Sequence, residues 1–167
     1  MRETPDELAE LQRLLDDSLS GSTAHLRSIV GAGDRALTAE RLTGLLTGMR
    51  TLAISTVTAK GEPRISAGDG HFLHGRWVFG TSTTAAKARH LAARPAVSVA
   101  LIEGERLGVF THGTAHPLNP ANGPAHPAWP DILPYLDEFY GDFMQRGDLA
   151  FYRVEPHWMV AWAAPAA

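Results

Sequence analysis

The segment Val78-Phe79-Gly80-Thr81-Ser82-Thr83-Thr84-Ala85-Ala86-Lys87 carries the most pointed chemistry in the chain. Strand-forming residues give way to four consecutive hydroxyls, and a lysine follows within one helical turn. The first turn of a helix presents unpaired backbone N–H groups and the positive end of its dipole, a combination suited to phosphate. Thr81, Ser82 and Thr83 add side-chain donors at the same place. Helical side chains lean toward the N-terminus, so Lys87 reaches back over that spot. Arg64 and Ser66 share one face of the preceding strand and approach the same spot from below. A plainer assignment stands beside this one, in which Ser82 or Thr83 only caps the helix and Lys87 is a solvated surface residue. Lys60 and Lys87 are the only lysines among 15 basic residues.

The other polar clusters point elsewhere. Cys is absent, which excludes disulfides, thiolate metal sites and a cysteine nucleophile. His71 and His74 fall on opposite faces of a strand or its turn. His112 and His116 share a face but stand about 13 Å apart at ~3.3 Å per residue. No metal site is predicted. His112 is expected to be a satisfied polar residue of a barrel strand. Trp158 and Trp162, at strand spacing, are expected in the core, at a dimer interface, or stacked on a cofactor from the partner chain. Asp137, Glu138 and Asp142 read as a solvated helix face. No side chain stands out as a required acid or base, so no catalytic residue is assigned.

The elements that must position these residues are legible from periodicity. Thr4-Pro5-Asp6-Glu7 is a capping box, and Leu8, Leu11, Leu15 and Leu19 continue as an amphipathic helix up to Ser20-Gly21-Ser22. A second helix is predicted from Thr23 to Val30, stopped by Gly31-Ala32-Gly33. A third is capped by Thr38, with Leu42, Leu45 and Leu46 on one side and Gly48 at its end. From Thr51 the period changes to two. Strands are predicted at Thr51–Val57, Pro63–Phe72, Arg76–Gly80, Val97–Ile102 and Leu107–Ala115, with turns at Lys60-Gly61, His74-Gly75 and Glu103-Gly104-Glu105. The helix Thr84–Ala93 is ended by Pro95. After the loop Asn119–Pro130, Asp131 is expected to cap another helix. Two final strands, Leu149–Val154 and Trp158–Trp162, flank Glu155-Pro156.

Six or seven hairpin-linked strands suggest a mainly β protein with flanking helices, its sheet closed into a small barrel that removes exposed edges. Residues 1–48 are expected to form a helical segment packing on the barrel, and 49–167 the barrel itself. Hydrophobic residues make up 44% of the 167, enough for one core, and the net charge of −3 argues against nucleic acid as partner. No apolar run suits a membrane span, and Met1 to Glu7 lack an apolar signal core, so a cytoplasmic location is expected.

Arg64-Ile65-Ser66, Phe79-Gly80-Thr81-Ser82, the run Lys87-Ala88-Arg89-His90-Leu91-Ala92-Ala93-Arg94-Pro95-Ala96-Val97, and the closing Phe151 to Trp162 together resemble the pyridoxamine 5′-phosphate oxidase-like family of flavin-binding split barrels. The likeness spans roughly residues 49–162. It implies a homodimeric split β-barrel with FMN in each of two interface clefts. It also implies that Lys87 and Arg64 hold the phosphate, with Ser82 and Thr83 nearby, and that the isoalloxazine lies along Ser66 and Ala67. The same helix resembles a branch that uses the deazaflavin F420 in place of FMN. The name-giving enzymes carry a lysine further along the second strand, where this chain reads Ser66-Ala67-Gly68-Asp69. They also carry an Arg- and His-bearing closing segment, where this chain reads Ala163-Ala164-Pro165-Ala166-Ala167. Vitamin B6 oxidation is therefore not expected. The implied activity is an oxidoreductase passing a hydride to or from a small organic substrate. The alternatives are a flavin- or heme-binding carrier or sensor, and a barrel that has lost its cofactor.

Overall fold

A computed structural model describes residues 3–31 and 35–164. Ala32 and Gly33, expected to help stop the second helix, and Pro165 to Ala167 of the closing segment lie outside the described residues. The chain runs α1 (Pro5–Ser20), α2 (Ala24–Val30), α3 (Ala39–Leu45), β1 (Met49–Val57), β2 (Pro63–Leu73), β3 (Arg76–Ser82), α4 (Ala86–Ala93), β4 (Ala96–Glu103), β5 (Leu107–Pro117), α5 (Trp129–Tyr140) and β6 (Leu149–Ala163). The six strands close an antiparallel barrel in the order β1-β2-β3-β6-β5-β4.

The amino-terminal helices form as their caps dictate. Thr4 Oγ1 accepts from Glu7 N at 3.3 Å, and Glu7 Oε2 accepts from Thr4 N at 2.8 Å, the full capping box. Thr23 and Thr38 cap α2 and α3 through their own hydroxyls. Leu11 and Leu15 of α1 join Leu42, Leu46 and the barrel interior in one apolar core. The seam is pinned by Met159 N donating to Ser18 Oγ at 2.9 Å and by Ala39 N donating to Gln12 Oε1 at 2.8 Å. Buried Arg76 adds ion pairs to Glu10 (2.7 Å) and Glu155 (3.1 Å), tying α1, β3 and β6 together.

His74 and Gly75 both take positive φ (53° and 69°), the pairing a two-residue hairpin turn demands. The strand set differs from expectation at the carboxy-terminal end. Leu149 to Ala163 form one strand, not two, because the β5–β6 register slips between His112 and Gly113, leaving His157 as the extra residue of a bulge beside Pro156. Gly113 permits it: a Cβ there would stand 2.3 Å from Glu155 O. Asp131 does not cap α5. The helix begins at Trp129 with Pro130 in its first turn, and no side chain caps it. Strand β1 starts at Met49, two residues earlier than the alternation indicates.

The barrel is not zipped along its whole height. Strand β2 pairs with β1 from Pro63 to His71, but with β3 only from Gly70 to Leu73. Below Gly70 the β2 edge has parted from β3, and α4 approaches the gap. Under α5, on the outer face of β3 and β6, a second core gathers Leu73, Val78, Leu118, Ile132, Leu136 and Phe151.

Candidate functional site

The parted edge of β2 is where Lys87 goes. Its Nζ donates to the Ala67 carbonyl at 2.5 Å, a group freed because β3 has diverged. Gly68 makes the approach possible: a Cβ on it would stand 2.8 Å from Ile54 Cδ1 and 3.4 Å from the ammonium. Burial lowers the pKa of Lys87, with the Asp69 carboxylate acting in the opposite direction. No carboxylate among the described residues forms an ion pair with it. A half-buried ammonium without a counter-ion, with donors to spare after one carbonyl, is a site that favours an anion.

Ser66 contributes a second unmet polar group at the same strand. Its Oγ is sealed from solvent and has no hydrogen-bond partner, a cost that a bound polar ligand would relieve. Outward from it, Ala67, Ala53 and Ala100 lie in register across β2, β1 and β4. They floor a shallow groove of about 430 Å³ flanked by Ile65 and Ile102, which are 78% and 61% exposed.

Arg64 does not join Lys87. Its guanidinium is exposed and paired with Glu62 at 3.0 Å, and no contact links it to the lysine. The hydroxyl run also goes elsewhere. Ser82 Oγ donates to Asp148 Oδ2 at 3.2 Å and lies 2.9 Å from Thr84 Oγ1, while Thr83 N donates to Asp148 O at 2.7 Å. Thr81 pairs with Ala150 on β6. Neither Ser82 nor Thr83 caps α4, which starts at Ala86 after an uncapped Ala85, two residues later than expected. The reason is local: Ser82 Oγ and its carbonyl are consumed by the turn, accepting from Thr84 N and Ala85 N. The predicted cluster therefore divides into a Lys87–Ala67–Ser66 part and a Ser82–Thr83 part anchored on Asp148, whose carboxylate is held down in pKa chiefly by Arg146.

Asp148 carried no signal in the sequence, since it meets Ser82 across 66 positions, and Arg146 enters only through its ion pair with Asp148. His71, His74 and His112 have hydrogen-bonding protein partners, while His116 meets only the ring of His126, at 6.3 Å between centroids. His71 is buried between Tyr135 and Tyr140 at 2.9 and 2.8 Å, and His74 meets Glu7. His112 bonds Ser98 at 2.8 Å and stacks on Trp158. Trp162 lies over Gly108 and beneath Arg35, so neither tryptophan is a core residue. Among the described residues no group of three or more His, Asp or Glu side chains could hold a metal. None of their helices is long and apolar enough to cross a membrane.

The profile of the pyridoxamine 5′-phosphate oxidase family matches residues 38–163. No curated protein sequence matches the chain. Among solved structures, the chain is similar to HutZ, the heme storage protein from Vibrio cholerae, with a TM-score of 0.61 at 20% identity over 74% of this chain and 93% of that one. It is similar to an F420 reductase with a TM-score of 0.53 at 20% identity, covering 70% and 93% of the two chains. A pyridoxamine 5′-phosphate oxidase-related, FMN-binding protein from Nostoc punctiforme gives 0.55 at 14% identity, covering 67% and 74%. At these identities the likeness is one of fold.

Proposed function

Because the chain belongs to the pyridoxamine 5′-phosphate oxidase family, we propose that it is a homodimeric oxidoreductase that binds FMN, or the deazaflavin F420, at the parted edge of β2. The observation that carries this reading is the partly desolvated ammonium of Lys87, without a carboxylate partner, at the Ala67 carbonyl. It would receive the cofactor phosphate. Arg64 is proposed as a mobile second cation that leaves Glu62 to reach it, and Ser82 and Thr83 as hydroxyls nearby, ahead of the helix start. The isoalloxazine would lie along Ser66 and Ala67, with the flat row of Ala67, Ala53 and Ala100 as a floor that suits a planar ring. The flavin supplies the hydride chemistry, and the chain binds, orients and shields it. The substrate is proposed to be a small organic molecule in the cleft that a second copy closes. Pyridoxamine 5′-phosphate is not the proposed substrate, because β2 continues as Gly68-Asp69 rather than with a lysine.

A second copy is the proposed cover for the groove between Ile65 and Ile102, which leaves large apolar side chains in water on a monomer. The same groove serves a non-catalytic carrier equally well, since none of its lining residues titrates. Titration of the purified protein with FMN, F420 and riboflavin, read by fluorescence, tests the assignment. Tighter binding of a phosphate-bearing cofactor than of riboflavin supports the phosphate grip; equal binding overturns it. Reduction of the bound flavin by a nicotinamide, or of a substrate by reduced F420, then separates enzyme from carrier.

A further inference from the structure

The opposite side of α4 opens onto a second and larger cleft, of about 760 Å³, between the helix, the end of β5, the loop after it and the segment leading into β6. Lys87, Ser66 and Ala67 do not line it; it shares only Thr83 with the proposed cofactor site. Its walls are apolar, with Leu91 and Ala92 on one side and Pro117, Pro120 and Leu149 on the other. The volume lies within the range of small-molecule sites, which combine such walls with a few convergent polar groups.

Besides Thr83, Thr114, His116 and Asn119, three polar side chains line the cleft. Arg89 donates to the Thr84 carbonyl at 2.6 Å and forms no ion pair with a carboxylate among the described residues, leaving most of its five donors free. Tyr152, only 7% exposed and stacked on Phe79, lines the cleft; burial raises its pKa, so its hydroxyl remains a neutral donor. Arg146 also lines the cleft, but its charge is met by Asp148 at 3.2 Å. The uncompensated charge is thus positive and centred on Arg89, with apolar surface on both sides.

We propose that this cleft binds a small aromatic anion, its carboxylate or phosphate held by Arg89 with Tyr152, and its ring between the Leu91–Ala92 wall and the proline-lined wall. A planar guanidinium suits either head group, since both offer two oxygens to its fork. The site stands independently of the cofactor assignment.

The test uses 8-anilinonaphthalene-1-sulfonate, whose fluorescence reports binding, beside N-phenyl-1-naphthylamine, the same ring system without the anion. Both are titrated into the purified protein, in parallel without and with added FMN. The sulfonate is expected to bind at least about tenfold tighter, consistent with one charge-assisted contact. Arg89→Gln should erase that preference while leaving the neutral probe's affinity unchanged, and Ala92→Trp should weaken both by filling the cleft. Benzoate or phenyl phosphate should displace the sulfonate probe, and additional FMN should not. Equal affinity for the two probes in the wild type would overturn the proposal. So would a preference that survives Arg89→Gln, displacement by FMN, or failure of both competitors. Both substitutions fall at exposed positions of α4, so loss of fold does not obscure the readout.

Discussion

Lys87 Nζ and the Ala67 carbonyl meet at 2.5 Å across twenty residues of sequence. The bond exists because β2 separates from β3 below Gly70, leaving strand carbonyls without ladder partners. An ammonium settled on that edge satisfies one of them and is itself partly desolvated, which strengthens any further contact it makes with an anion.

Replacing Lys87 by alanine should therefore weaken FMN binding by about 10- to 150-fold, the equivalent of roughly 1.5–3 kcal/mol for a charge-assisted contact. Arg64→Ala should cost roughly fivefold or less, since Arg64 is exposed and must first leave Glu62. Lys60→Ala, in the turn at Gly61, should change nothing. Fluorescence titration of the three variants decides the matter, and unchanged affinity in Lys87→Ala returns the lysine to the role of an edge clamp.

Charge placed on the alanine-floored groove should separate the proposed dimer. Light scattering is expected to give twice the 18.0 kDa chain mass for the wild type and a single chain for an Ile65→Glu, Ile102→Glu double variant. Both side chains are exposed in the single chain, so the variant should keep its melting cooperativity. A wild type that is monomeric at micromolar concentration would remove the partner from the site.

Acid should destabilise the fold through His71. Burial lowers its pKa from 6.5 to about 4, against the pull of Asp69. The folded protein therefore holds this imidazole neutral between Tyr135 and Tyr140 while the unfolded chain takes up a proton. The stability it contributes is complete above about pH 6.5 and is lost as pH falls from there toward 4. One proton corresponds to a slope of about 1.4 kcal/mol per pH unit. Denaturant unfolding from pH 7.5 to 4.5 should show this slope, and His71→Asn should lose that share of it. An identical pH profile in the variant would mean that His71 does not titrate in this way.

Gly113→Ala should destabilise by about 3 kcal/mol, at the upper end of overpacking costs. The new Cβ would meet Glu155 O, a backbone atom held by the β6 bulge, with no flexible side chain to yield. Gly44→Ala, where nothing lies within 4 Å of the added atom, is the control and should be neutral or slightly stabilising, because the site is helical. Thermal melts of the two variants provide the comparison.

What the chain announces about itself is whatever depends on near neighbours. The Thr4 and Thr38 caps, the change of period at the first strand, the His74-Gly75 turn and the end of the helix before Pro95 are short-range consequences of side-chain size and backbone freedom, and each forms as read to within two residues. The resemblance carried by Arg64–Ser66, Phe79–Ser82, Lys87–Val97 and Phe151–Trp162 also identified the family to which the chain belongs. Other features depended on residues distant in sequence. The hydroxyl run was diverted from capping α4 by Asp148, which lies 66 residues from Ser82. Two apparent strands became one because Gly113, on another strand, makes room for the Glu155 carbonyl. Periodicity reports which face a residue presents, but not which strand departs from its neighbour or which carbonyl is thereby left open. Only closure of the barrel, with β2 parting from β3, decided that Lys87 would settle on Ala67 and that the other face of α4 would be left lining a cleft.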